Sequence, residues 1–170
     1  MKNYLQKITT ASCLVAASLS FNAQTLADGD VLGGSGDFTL NELLNSQDAH
    51  TLSTYLDAGK TVFVDVSAYW CGPCWTFHEA HSLETLYEEH GPAGMPGVSA
   101  TTTDDVMAFL LMSDEGTLAQ LEGGSGSQGD WTAGANGDLT VPLMYGTPAK
   151  TVQGDIFPID GYPTVYKICP

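Results

Sequence analysis

The segment Thr61 to Cys74, TVFVDVSAYWCGPC, constrains the fold more than any other part of this sequence. Thr61–Ser67 is an apolar, β-branched run of strand length, interrupted by one charge, Asp65, between Val64 and Val66. A buried strand is therefore expected, and it leads through a cysteine-containing turn into a helix. That helix is expected to run to about Glu89, where Gly91-Pro92 stops it, with Phe77, Ala80, Leu83, Leu86 and Tyr87 forming its apolar stripe.

The rest of the chain repeats this alternation. Val106–Met112 (VMAFLLM) reads as a second buried strand and Glu115–Glu122 as a short helix. Thr164–Ile168 reads as a last strand, after Gly161-Tyr162-Pro163. Upstream, Asp37–Leu44 reads as a short strand or turn, and Ser53–Asp57 as a helical turn closed by Gly59. Strand, helix, strand, helix implies an α/β fold with parallel pairing. Two stretches, residues 28–36 and the loop Gly123–Gly137, each carry a GGSG. As single imperfect copies they read as linker and loop, not as calcium-binding repeats.

The N-terminus has the layout of an export signal. Lys2 and Lys7 precede a mostly apolar stretch from Ile8 to Phe21, and small residues follow, with cleavage expected after Ala23 or Ala27. The stretch is short for a membrane span. Residues 1–27 are thus read as a signal peptide, 28–36 as a flexible lead and 37–170 as one domain. Export to a periplasmic or secreted location, in a bacterial envelope, places the later cysteines where disulfides persist.

Charge then excludes classes of partner. The whole chain has 5 Lys+Arg against 20 Asp+Glu, a net −15. Every acid lies at or beyond Asp28, so the chain from there carries three lysines (Lys60, Lys150, Lys167), no arginine and a net −17. A nucleic-acid binder needs clustered cations to neutralise phosphates, and none cluster here. Adhesion to anionic lipid is disfavoured for the same reason.

Two cysteines separated by two residues either ligate a metal, usually with a second such pair, or interconvert between dithiol and disulfide. Cys71 falls where the strand turns into the helix, so its sulfur sits at the helix N-terminus, where free N–H groups and the macrodipole favour a thiolate. The thiolate is the nucleophile of disulfide exchange, which makes Cys71 the attacker. Cys74, one turn further in, can then resolve the mixed disulfide. Gly72-Pro73 gives a tight turn, and a proline at the helix start loses nothing by lacking an N–H. A purely structural bridge over so short a loop would restrain little unfolded-state entropy.

VFVDVSAYWCGPC resembles the active-site strand and helix start of the thioredoxin superfamily. DFTLNELL…HTLSTYLDAGK resembles the start of its exported TlpA/ResA-like thiol–disulfide oxidoreductases, and GYPTVYKI the segment holding that fold's cis-proline. The resemblance covers roughly residues 37–90 and 159–168. It implies a central mixed sheet flanked by helices, with residues 91–158 containing an insertion. It implies Cys71 as nucleophile, Cys74 as resolving thiol and Asp65 as a buried acid that takes the Cys74 proton. Trp70, Gly72, Pro73, Tyr162 and Pro163 would form the substrate surface, with Pro163 cis and the Tyr162 backbone docking an extended segment. No organic cofactor and no metal are implied, since the dithiol carries the two electrons. The expected partners are protein thiols and disulfides and a redox partner, and the expected state is a monomer.

Three features depart from the family. Trp75 stands where a basic residue is common, and Glu79 where many members have a helix-kinking proline. The chain stops at Pro170, directly after the strand that follows the cis-proline, so the family's last strand and helix are expected to be missing, as in a truncated chain. Two other readings stay open at this stage: metal or copper handling by Cys71, Cys74 and one of His78 and His81, and a non-catalytic module of a larger secreted protein. His78 and His81, three apart, otherwise read as solvated helix-face residues. Cys169 is expected to pair elsewhere or remain a free thiol.

Overall fold

The computed structural model describes residues 4–6, 30–31, 36–44 and 48–170. The export-signal stretch 1–27 lies outside the described residues apart from Tyr4–Gln6, and the 28–36 lead likewise apart from Asp30, Val31 and Gly36. The strands in chain order are β1 (Tyr4–Gln6), β2 (Asp30–Val31), β3 (Thr39–Asn41), β4 (Ala49–Thr51), β5 (Thr61–Ser67), β6 (Val106–Met112), β7 (Ala133–Gly134), β8 (Gly137–Asp138), β9 (Leu143–Tyr145) and β10 (Thr164–Cys169). The helices are α1 (Leu52–Asp57), α2 (Gly72–Glu79), α3 (Ser82–His90), α4 (Leu118–Leu121) and α5 (Gly146–Ile156). Among the described residues, no helix is long and apolar enough to cross a membrane.

The central sheet has the order β2-β1-β10-β5-β6-β9. β5 pairs in parallel with β6 along its whole length, from Thr61↔Val106 to Ser67↔Met112, and β6 pairs in parallel with β9. β10 runs antiparallel to β5, and β1 antiparallel to β10. The sheet is therefore mixed and flanked by helices, the architecture expected from the sequence. Beyond β10 the sheet continues with β1, from within the stretch read as export signal, and then β2.

The alternation of side chains along β5 separates two chemical environments. Val64, Phe109 and Tyr166 share one row of the sheet. An aromatic cluster of Phe38, His50, Tyr55 and Phe157 packs on that face, with Phe109 edge-on to Phe38, His50 and Tyr55. Asp65 and Leu110 form the next row, so they point to the opposite face, towards α2 and α3. All seven residues of β6 are buried, which is why it reads as a continuous apolar run.

Several expected elements are corrected. The helix expected from the cysteine turn to Glu89 is two helices. The N–H of His81 donates to the His78 carbonyl at 2.9 Å, which closes α2 in a tight final turn. His81 itself takes a left-handed backbone, φ +52°. The helix expected over Glu115–Glu122 is shortened to α4, because Thr117 caps it in a reciprocal box with Gln120. The segment before it turns at Glu115, φ +62°. The region between β6 and β10 is also richer than expected, holding the β7–β8 hairpin, strand β9 and helix α5.

Candidate active site

The strand β5 ends at Ser67, and the chain then makes the turn that carries the cysteines. Cys71 is the N-cap of α2, with extended backbone (φ −80°, ψ 111°), and its Sγ accepts from the Cys74 N–H at 3.2 Å. This is the hydrogen bond a side-chain oxygen makes at an ordinary N-cap, and here it stabilises electron density on the sulfur. The two sulfurs are bonded, with Cα atoms 5.3 Å apart. Cys74 is fully buried whereas Cys71 keeps 4% of its surface. Cys71 is therefore the more accessible of the two cysteines. Nothing lies within 4 Å of where a side chain on Gly72 would point, so the approach over the turn is open.

Trp70, just before Cys71, is half exposed, and its ring meets the Tyr162 ring edge-on at 5.7 Å. The Tyr162–Pro163 peptide bond is cis. The Tyr162 hydroxyl lies 3.0 Å from Ser113 Oγ, and the Ser113 N–H donates to the Ser67 carbonyl at 3.1 Å. The ends of β5 and β6 and the proline turn are thereby tied together, with Thr164 opposite Val66 in the ladder. Trp70 and Tyr162 thus meet beside the cysteine turn, with the buried Pro163 next in the chain.

Asp65 is 2% exposed and receives one hydrogen bond, from Ser67 Oγ at 3.0 Å. Burial disfavours its charged form and pushes it up to about 7, with the Ser67 hydroxyl opposing. A carboxyl poised there exchanges its proton near neutral pH.

The glycine-rich loop braces this turn, which the sequence reading did not foresee. The Tyr69 carbonyl accepts from the Gln128 N–H at 3.0 Å and from Trp131 Nε1 at 3.1 Å. Gln128 Nε2 donates to the Trp70 carbonyl at 2.8 Å. The two residues before Cys71 are thus held by one loop. Gly129 passes so close to Trp75 that an added Cβ would stand 2.3 Å from its ring. Trp131, a buried aromatic amid glycines, was the sequence signal that this loop is anchored.

The histidines are not simple solvated residues. His78 is packed between Trp75 and Trp131, with ring centroids 5.3 and 5.1 Å away, and its Nε2 lies 3.1 Å from the Ala133 carbonyl. Burial holds it below the ordinary imidazole range, although Glu84 and the Ala133 carbonyl pull the other way. His81 lies beside Glu84, with Nδ1 2.9 Å from Oε2. Among the described residues no three His, Cys, Asp or Glu side chains converge as a metal site. Cys169, half-buried, ends β10 beyond the Ile168↔Val62 pair, at the opposite end of β5 from the cysteine turn.

No protein-family model matches the chain, and no curated protein matches it. Among solved structures the chain is similar to the pneumococcal exposed lipoprotein thioredoxin Etrx1 of Streptococcus pneumoniae strain TIGR4. That match has 20% identity, covers 76% of this chain and 79% of the other, and has a TM-score of 0.47. The chain is also similar to a Bacteroides vulgatus protein described as a candidate thiol–disulfide oxidoreductase, at 17% identity, 69% and 64% coverage and a TM-score of 0.40. At these identities and scores the likeness assigns no activity, which rests on the chain's own geometry.

Proposed function

We propose that this chain is an exported thiol–disulfide oxidoreductase that exchanges disulfides in proteins through Cys71 and Cys74. The observation that carries the reading is Cys71 as the cap of α2, its sulfur accepting from the Cys74 N–H and bonded to Cys74. In the reduced form, the Cys71 thiolate attacks a substrate disulfide, forming a mixed disulfide and releasing one substrate thiolate. The Cys74 thiol gives its proton to Asp65, and its sulfur attacks Cys71 Sγ. This closes the Cys71–Cys74 disulfide and releases the second substrate thiolate, so two electrons pass to the substrate. The reverse sequence oxidises a dithiol. Trp70, Tyr162 and Pro163 are read as the surface on which an extended substrate segment docks.

The test is dithiothreitol-driven reduction of insulin. The wild-type chain should accelerate it, and Cys71→Ser should abolish the acceleration. A wild-type chain no faster than dithiothreitol alone would overturn the proposal.

A further inference from the structure

Asp65 becomes protonated in every cycle of the reaction proposed above, and with 2% of its surface exposed it has no direct contact with bulk water of any extent. In the oxidised protein that proton equilibrates with solvent, and one is needed again when Cys74 departs as a thiolate on re-reduction, so Asp65 requires a route to water. A small cleft opens beside it, lined by Asp65, His78, His81 and Glu84 together with apolar side chains that include Phe77 and Leu110. The space within it is about 10 Å³ for a water centre, roughly one molecule.

Three observations mark the polar side of this cleft. Glu84 is buried to 9% exposure; its Oε2 accepts from the Ala135 N–H at 3.0 Å, and its Oε1 has no hydrogen-bond partner. His81 stands against the same carboxylate, 2.9 Å away, with over a third of its side chain exposed. It therefore spans from the cleft to solvent. The backbone holds it there at φ +52°, the left-handed region that non-glycine residues seldom adopt and in which His, Asn and Asp are the commonest of them.

We propose that this cleft is the proton exit of Asp65, in which His81, paired with Glu84, passes the proton between a cleft water and solvent. The inference rests on the oxidoreductase reading. After oxidation the Asp65 O–H gives its proton to the cleft water, that water gives one to the His81 imidazole, and His81 releases it to solvent; on re-reduction the same steps run in reverse to reprotonate Cys74, and no electrons move. Imidazole is the side chain suited to this exchange near neutral pH. The groups that bear on the route are Asp65 from β5, His78 and Glu79 from α2, and Glu84 from α3. The β7–β8 hairpin adds backbone groups, the Ala133 carbonyl and the Ala135 N–H. His78, whose protonation burial opposes and whose ring is tied to the Ala133 carbonyl between Trp75 and Trp131, serves as a wall of the cleft and not as a carrier. His81 is a positioning residue in this account, acting on the cysteines only through Asp65.

His81→Asn tests it, because asparagine tolerates the left-handed backbone but cannot carry the proton. Insulin reduction by wild type, H81N, E84Q and Asp65→Asn would be followed from pH 6 to 8, with and without free imidazole, beside thermal melting of each variant. The expected result is turnover roughly tenfold slower in H81N, restored by imidazole, at an unchanged melting temperature. E84Q keeps an amide oxygen for the Ala135 N–H and should also slow turnover, which tests the route even if H81N fails to fold. H81N and E84Q at wild-type rates, with D65N slow, would overturn the exit while leaving the oxidoreductase reading intact. Slow H81N without imidazole rescue would also overturn it. A wild-type chain without disulfide-reducing activity would overturn the parent reading instead.

Discussion

Replacing Asp65 with asparagine should change how stability depends on pH, and the size of the change follows from its burial. The carboxyl is raised from 3.8 to about 7 in the folded chain. Between those values the native state keeps a proton that the unfolded state has lost, so unfolded chains bind fewer protons and stability falls as pH rises. The stabilising advantage of the neutral form is complete below the unfolded value and is gone above about 7. Each pH unit in that window is worth about 1.4 kcal/mol. Working from pH 5, above the chain's isoelectric point near 4.1, leaves about two units below the folded value, or about 3 kcal/mol. The asparagine that replaces it does not titrate. Its amide brings two donors into a site that offers only the Ser67 hydroxyl, at a cost of about 1–3 kcal/mol that does not vary with pH. The difference between wild type and D65N, both kept oxidised, should therefore shift by about 3 kcal/mol in favour of the variant between pH 5 and pH 8. Urea unfolding at each pH measures it. Parallel curves for the two proteins would refute the claim that Asp65 is buried with its proton.

Three further outcomes follow from the same geometry. Gly129→Ala puts a methyl 2.3 Å from the Trp75 ring, so overpacking should cost about 1–3 kcal/mol in urea unfolding and slow insulin reduction through the displaced loop. His78→Ala removes a ring packed between Trp75 and Trp131 and should lower stability by about 1–2 kcal/mol, read by the same unfolding and by altered tryptophan emission. In the reduced protein, a thiolate at Cys71 forms on a strongly acidic chain, so its alkylation by iodoacetamide at fixed pH should speed up as added salt screens the acids over about 8 Å or less. A rate independent of salt would show that the acids lie too far from the sulfur to matter.

The centre of the fold was legible because local signals agreed there with the tertiary structure. Thr61–Ser67 is a β-branched, mostly apolar run broken by Asp65 and Val106–Met112 a continuous apolar one, and both are strands with those same limits. Gly161-Tyr162-Pro163 marked the turn before β10. The split between α2 and α3 was hidden because no glycine or proline marks it; the break falls at His81, and histidine tolerates a left-handed backbone without by itself signalling one. The role of the Gly123–Gly137 loop was hidden for a different reason. Its hydrogen bonds run from Gln128 and Trp131 to carbonyls 58 and 62 residues earlier, and glycine content alone reads as slack chain. α5 escaped notice because Gly146, Pro148 and Gly154 mask its helical pattern. The buried polar group on the other face was equally opaque: His50 and Glu42, at 2% and 5% exposure, lie 3.6 Å apart, and no local pattern in the sequence marks either for burial.

The most direct test of the account is to trap its covalent intermediate. Cys74→Ser leaves the Cys71 nucleophile without a resolving thiol, so incubating the reduced variant with a disulfide-bonded protein should accumulate a mixed disulfide. Peptide mass spectrometry should locate it at Cys71, and dithiothreitol should release it, with none formed by Cys71→Ser. A C74S protein that forms no adduct at Cys71, with its thiol demonstrably free, would contradict the account.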